Sequence, residues 1–164
     1  MNDLTALARL RNQLFALAAI LFCGTIAELL AAKHYQSPTQ LVPFGLCGLG
    51  LMTVALAWKG SQPNIRVAVR IIMVVIASGS LWGIYEHVTG NLSFVHEVRP
   101  HASGMMVLKA TLQGGDPILA PGVLAVAAVV TILATFASAA QLVEDREPAT
   151  RESRRQTSRN KVLT

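Results

Sequence analysis

The chain alternates between long apolar segments and short polar connections. Four segments are predominantly apolar, at about 14–32, 41–58, 67–87 and 117–143. Runs of about 18 or more apolar residues predict transmembrane helices, because a helix needs about 20 residues to cross the hydrocarbon core. The third run reaches this length only when it begins near Val67, with Arg70 reaching to the headgroups. The apolar residues do not alternate with polar ones, which favours α-helices over a β-barrel.

The pattern therefore predicts an all-α membrane protein, a four-helix transmembrane bundle formed by residues 1–143 as one domain. Composition supports this prediction: the chain has 164 residues, of which 52% are hydrophobic and only 14% charged. Globular proteins average about 25% charged residues. Residues 144–164 are basic and poor in apolar side chains, which predicts a disordered cytoplasmic tail that can lie on anionic lipid.

The basic residues predict the orientation of the bundle. They cluster before the first span, between the second and third spans, and after the fourth: Arg9, Arg11, Lys59, Arg66, Arg70, Arg146, Arg151, Arg154, Arg155, Arg159 and Lys161. The other two connections hold only Lys33, Arg99 and Lys109. Because positive residues stay on the cytoplasmic side, both termini are predicted to be cytoplasmic in a multi-pass protein of the cell inner membrane. The net charge of +5 is thus explained by topology rather than by nucleic acid.

The first apolar segment is predicted to be a retained span. Arg9 and Arg11 precede it, as in a signal peptide, but the small residues near Ala31 and Ala32 fit a cleavage site poorly.

The third and fourth apolar segments carry small residues at helical spacing. Gly79 and Gly83 predict a close-packing face on the third span. Ala127, Thr131, Thr135 and Ala139 form a matching stripe on the fourth span, the predicted partner of that face.

The longest connection, residues 88–116, is predicted to be an outer loop between the third and fourth helices. Gly90-Asn91 is a turn signal at its start. Residues 103–112 predict a short amphipathic helix on the membrane, with Met105, Leu108 and Leu112 on one side. Asn91-Leu92-Ser93 also matches a glycosylation sequon. A loop of this length usually has a function of its own.

All four histidines fall on the predicted outer side, together with most isolated acids. Imidazole and carboxylate groups suit divalent transition metals such as Zn²⁺, and they also suit proton relays. The candidate metal ligands are Glu28, Glu86, His87, His96, Glu97 and His101, with His34 and Asp116 on the same side. No ligand spacing of a known metal motif is present. Interfacial hydrogen bonding and structural pairing are the alternative interpretation of these residues.

The sequence contains no recognisable catalytic set, and neither of its two cysteines, Cys23 and Cys47, belongs to a CxxC pair. Packing rather than redox chemistry is expected of them, and no enzyme activity or cofactor is predicted.

The first functional hypothesis is association in the lipid bilayer, as an accessory or scaffold subunit of a membrane complex or as a homo-oligomer. The alternative is a metal-ion or proton transporter or sensor that uses the outer histidines and glutamates, with a divalent transition metal as its ligand.

Overall fold

The computed structural model describes residues 3–60, 62–112 and 121–137, and this part of the chain is helical with no strand. The elements are α1 (Asp3–Ala31), a 3₁₀ turn (Thr39–Leu41), α2 (Val42–Lys59), α3 (Pro63–Val98), α4 (Gly104–Leu112) and α5 (Pro121–Ala137). The all-α prediction is confirmed. The predictions for Asp116, for Ala139, for the two ends of the fourth span and for the 144–164 tail lie outside the described residues.

Three helices in the described part are long and apolar enough to cross a membrane. They are Thr5–Ala31 in α1, Thr39–Lys59, which joins the 3₁₀ turn to α2, and Pro63–Val98, which is α3. In the most apolar 18-residue stretch of each helix, only 28%, 28% and 22% of the residues are buried inside the fold. Most of their surface therefore faces outward, and its apolar character is consistent with contact with a lipid bilayer. α5 is also apolar, and its described part has 17 residues, fewer than the about 20 of a complete span.

α1 and α2 pack antiparallel through two aromatic contacts. Near the middle of α1, the Phe15 ring stacks on Trp58 at the end of α2, with the ring centroids 6.0 Å apart. Further along α1, the buried Phe22 lies over Gly50, where an added Cβ would be 2.9 Å from Cδ1 of the ring. The absence of a side chain at Gly50 therefore makes room for Phe22. Since a later residue of α1 meets an earlier residue of α2, the two helices run in opposite directions.

α3 contacts α2 and α5 through its small residues. A Cβ added at Gly79 would lie 3.2 Å from Cδ1 of Leu46 in α2, and one at Gly83 would lie 3.4 Å from Cβ of Pro121 in α5. Between these glycines, the Ser80 hydroxyl donates to the Pro121 carbonyl. The Gly79/Gly83 face is thus a packing surface, as predicted, but its neighbours are Leu46 and Pro121.

The predicted small-residue stripe of α5 is inside the fold: Ala127, Thr131 and Thr135 are all buried. Thr131 donates its hydroxyl to the Ala127 carbonyl and Thr135 donates to Ile132, which satisfies both groups within the helix. Because these buried side chains are small, they allow neighbouring helices to approach α5 closely.

Arg70 corrects one prediction of the sequence. Instead of extending to the headgroups, its Nε donates to the Thr135 hydroxyl at 2.8 Å. The guanidinium also lies over the Phe136 ring, 3.8 Å from the centroid. The beginning of α3 therefore contacts the end of α5, whereas Ser80 contacts the beginning of α5. These two contacts make α3 and α5 antiparallel.

The second half of α3 corrects the predicted turn at Gly90-Asn91. The helix continues through both residues to Val98, 36 residues in all, or about 54 Å. This length exceeds the hydrocarbon thickness of about 30 Å. The predicted helix at 103–112 is confirmed as α4, which packs against the extension of α3. Turn propensity is outweighed here because α4 buries Asn91 and Val95 of α3.

α4 presents the predicted apolar side to its surroundings. Met105, Leu108 and Leu112 are exposed, and Met105 retains 76% of its accessible surface. On the other side of the helix, Thr111 is buried against α3 and its carbonyl accepts a hydrogen bond from Asn91 Nδ2 at 3.1 Å. The sequon nitrogen is therefore engaged in packing rather than presented for glycosylation.

Candidate binding cavity

A cavity of about 610 Å³ lies where α1 ends and where α2 and α5 begin. Its size falls in the range of small-molecule sites, about 300–1,000 Å³. The walls are largely apolar, and α3 contributes small residues, Gly79, Ser80 and Gly83, to one side. The apolar lining includes Leu29, Pro43, Leu46, Trp82, Pro121 and Leu124.

The four ionisable residues of the cavity lining are exposed or half-buried, and together they are called its rim. Glu28 comes from the last turns of α1, His34 from the connection that follows, and Glu86 and His87 from α3. From Gly79 to His87, α3 rises by about 12 Å, which gives the scale of the cavity along the helix axis. The imidazole rings of His34 and His87 are neighbours at the rim, with centroids 6.0 Å apart and planes inclined by 48°.

The end of α1 places His34 at the rim. The His34 amide donates to the Leu29 carbonyl at 2.9 Å and the Lys33 amide donates to Leu30 at 3.0 Å. These two bonds form a Schellman cap, in which the residue after the helix adopts the left-handed conformation. Lys33 has that conformation, with a φ of 53°, and is the only non-glycine residue with a positive φ in the described part of the chain. The cap turns the chain back over the helix and carries His34 to the cavity.

The rim combines two carboxylates with two imidazoles. Glu28 and Glu86 are exposed, and neither carboxylate has a hydrogen bond or an ion pair with any described residue. No lysine or arginine is among the described residues that line the cavity. His87 has a further interaction within the fold. The cavity thus combines an apolar interior with an acidic and imidazole-containing entrance.

The structure brings together three of the six predicted ligands, Glu28, Glu86 and His87, and adds His34 to them. His96 and Glu97 are exposed near the end of α3, away from this cavity. His101 lines a second, open depression with Arg99 and Met106. No group of three or more His, Cys, Asp or Glu residues that could hold a metal ion occurs in the described ranges. The metal site therefore stays a prediction.

Several cavity residues were not candidates in the sequence. Trp82 and Gln40 line the cavity, and so do Pro121 and Leu124 of α5. The spacing of Trp82 to Glu86, one helical turn, is a signal that could have joined Trp82 to the acidic group. The α5 residues depend on the register between two distant helices, for which the sequence has no local signal.

Both cysteines are free thiols, with Cys23 exposed and Cys47 buried in the core. No family model, no characterised protein and no solved structure matches this chain. Its function is therefore inferred from the cavity, the charges and the exposed helix faces.

Proposed function

We propose that the protein is a four-helix transmembrane bundle of the cell inner membrane, with both termini in the cytoplasm, that acts without catalysis by association. It serves as an accessory or scaffold subunit of a membrane complex or forms a homo-oligomer. The antiparallel contacts of α1 with α2 and of α3 with α5 support an up-and-down arrangement. The basic residues at the α2–α3 connection support its orientation.

The observation that carries the association is the outward face of α2. Gly45 and Gly48 are exposed, and a Cβ added at either would meet no atom within 4 Å. Met52 and Ala55 continue this face at helical spacing and are also exposed. By contrast, the space beside Gly50 on the other side of α2 is occupied by the Phe22 ring. In lipid, helices associate through small residues that let backbones approach closely, so an unfilled glycine face suits a second helix.

The test compares two double variants in membranes and in neutral detergent. Gly45→Leu with Gly48→Leu fills the proposed contact, whereas Val74→Leu with Val75→Leu changes exposed residues of α3 that are already large. Energy transfer between differently labelled copies measures self-association, and co-purification at fixed stoichiometry measures a partner. We expect the glycine variant to lose the association and the valine variant to keep it. A chain that is monomeric and without a stoichiometric partner in both settings would contradict the proposal.

A second candidate function is proton or divalent-metal sensing or transport at the cavity rim. It is favoured by the convergence of Glu28, His34, Glu86 and His87 on one entrance. Titration of the purified protein with Zn²⁺ tests the metal form of this proposal. Uptake of one ion per chain that is lost in Glu86→Gln with His87→Ala would support it, and the absence of stoichiometric uptake would contradict it.

A further inference from the structure

The cavity has the form of a site for a molecule larger than an ion. Leu29, Leu46 and Leu124 contribute apolar surface, and the volume is about 610 Å³. A proton or a metal ion would use only the rim residues and would leave this surface without a role. Ligand pockets characteristically join apolar walls to a few polar groups that fix orientation. The occupant should therefore carry an apolar body.

The carboxylates at the rim favour a ligand with a positive charge. Glu28 and Glu86 both line the cavity, and no described lysine or arginine lines it with them. An anionic group placed there would meet like charges, whereas a cation would be attracted to both carboxylates. The attraction between such a cation and the carboxylates is stronger in the cavity than in bulk water, because the apolar walls lower the local dielectric constant.

An aromatic ring stands beside the same entrance. Trp82 lines the cavity and retains 64% of its accessible surface, with the Tyr85 ring 5.5 Å away between centroids. Indole faces attract organic cations such as quaternary ammonium groups, which are large and weakly hydrated. Trp82 and the two carboxylates thus favour the same kind of ligand.

We propose that this cavity binds an amphipathic organic cation, with its apolar body between α1, α2, α3 and α5 and its positive charge between Glu28 and Glu86. This site is distinct from the association face, since Gly45 and Gly48 do not line the cavity. The two proposals can therefore fail separately.

The experiment uses two probe ions of the same shape and opposite charge, tetraphenylphosphonium and tetraphenylborate. The full chain is held in maltoside micelles, which carry no net charge, and binding to protein-free micelles is subtracted for each ion. Equilibrium dialysis measures stoichiometry and affinity. Trp82 fluorescence reports occupancy of the cavity in a Trp58→Phe background, because the chain has two tryptophans and Phe preserves the ring contact of Trp58 with Phe15.

We expect saturable binding of one phosphonium per chain, at least tenfold tighter than binding of the borate. Glu28→Gln with Glu86→Gln should lower the phosphonium affinity at least tenfold. Glu97→Gln is the matched control, since it removes an exposed carboxylate of the same helix outside the cavity, and it should leave the affinity unchanged.

Equal or tighter binding of the borate would overturn the proposal, as would phosphonium binding that never saturates. An unchanged affinity in the double glutamine variant would also overturn it. The comparison of the two ions on the unaltered chain needs no variant, so it decides the question even when a substitution impairs folding.

Discussion

Arg70 and Thr135, 65 positions apart in the chain, are joined by a hydrogen bond of 2.8 Å from the guanidinium Nε to the hydroxyl oxygen. The same guanidinium covers the Phe136 ring at 3.8 Å. One arginine near the start of α3 therefore contacts two successive residues near the end of α5. Because the hydrogen bond and the ring contact both depend on the planar fork of arginine, charge alone cannot replace this side chain.

Arg70→Lys should lower the free energy of unfolding by about 1–2 kcal/mol, since it keeps the charge but loses the guanidinium–ring contact and the Nε donor. Thermal unfolding in detergent measures the change. Arg9→Lys, at an exposed position of α1, is the control and should have no measurable effect. Equal stability of the two variants would show that the guanidinium contacts of Arg70 with α5 contribute nothing.

Gly50→Ala should destabilise the fold by about 1–3 kcal/mol, because the new methyl group would overlap the buried Phe22 ring. Gly24→Ala, at an exposed position of α1 outside the proposed association face, meets no atom within 4 Å and should be neutral or slightly stabilising. Adding Phe22→Leu to Gly50→Ala should recover part of the loss, because leucine is smaller than the ring. Additive effects of the two substitutions would contradict the contact.

Asn91→Ala should loosen α4 without unfolding the rest of the chain. It removes the donor to the Thr111 carbonyl, a buried hydrogen bond worth about 1–2 kcal/mol. Amide hydrogen exchange of α4 should accelerate by roughly tenfold, while exchange in α1 and α2 stays the same. Asn64→Ala, at an exposed position in the first turn of α3, is the control. Unchanged exchange in α4 would mean that Asn91 does not hold it.

Lys33→Gly should raise stability by about 1 kcal/mol, because glycine adopts the left-handed conformation of this position without the Cβ penalty. Ala32→Gly, at the preceding exposed position, lacks that positive φ and should not be stabilising. Differential scanning calorimetry of both variants measures the difference. A loss of stability in Lys33→Gly would contradict the cap that positions His34.

The agreement between sequence and structure follows the range of the interactions involved. Long apolar runs predict α1, α2 and the first part of α3, because hydrogen bonding within a helix is local. The continuation of α3 through Gly90 and Asn91 was missed, since it depends on the docking of α4 at Asn91. For the same reason, the sequence predicts that Arg70 reaches the headgroups, although its partner lies on α5.

The candidate site was predictable only at its rim. Glu28, Glu86 and His87 stand out because ionisable groups are rare in apolar segments. His34 reaches them through a left-handed Lys33, a conformation that the sequence gives no reason to expect. The apolar walls from α2 and α5 are set by helix register, so the cavity itself had no sequence signal.

Labelling of single cysteines with a membrane-impermeant maleimide tests the membrane topology most directly. In a Cys23→Ala, Cys47→Ala background, new cysteines replace Gln62, between α2 and α3, and Ser103, between α3 and α4; both positions are exposed. In spheroplasts, the Ser103→Cys variant should react at once and the Gln62→Cys variant only after permeabilisation. Reaction of both variants in intact spheroplasts, the reverse order, or a chain that stays in solution without detergent would contradict the account.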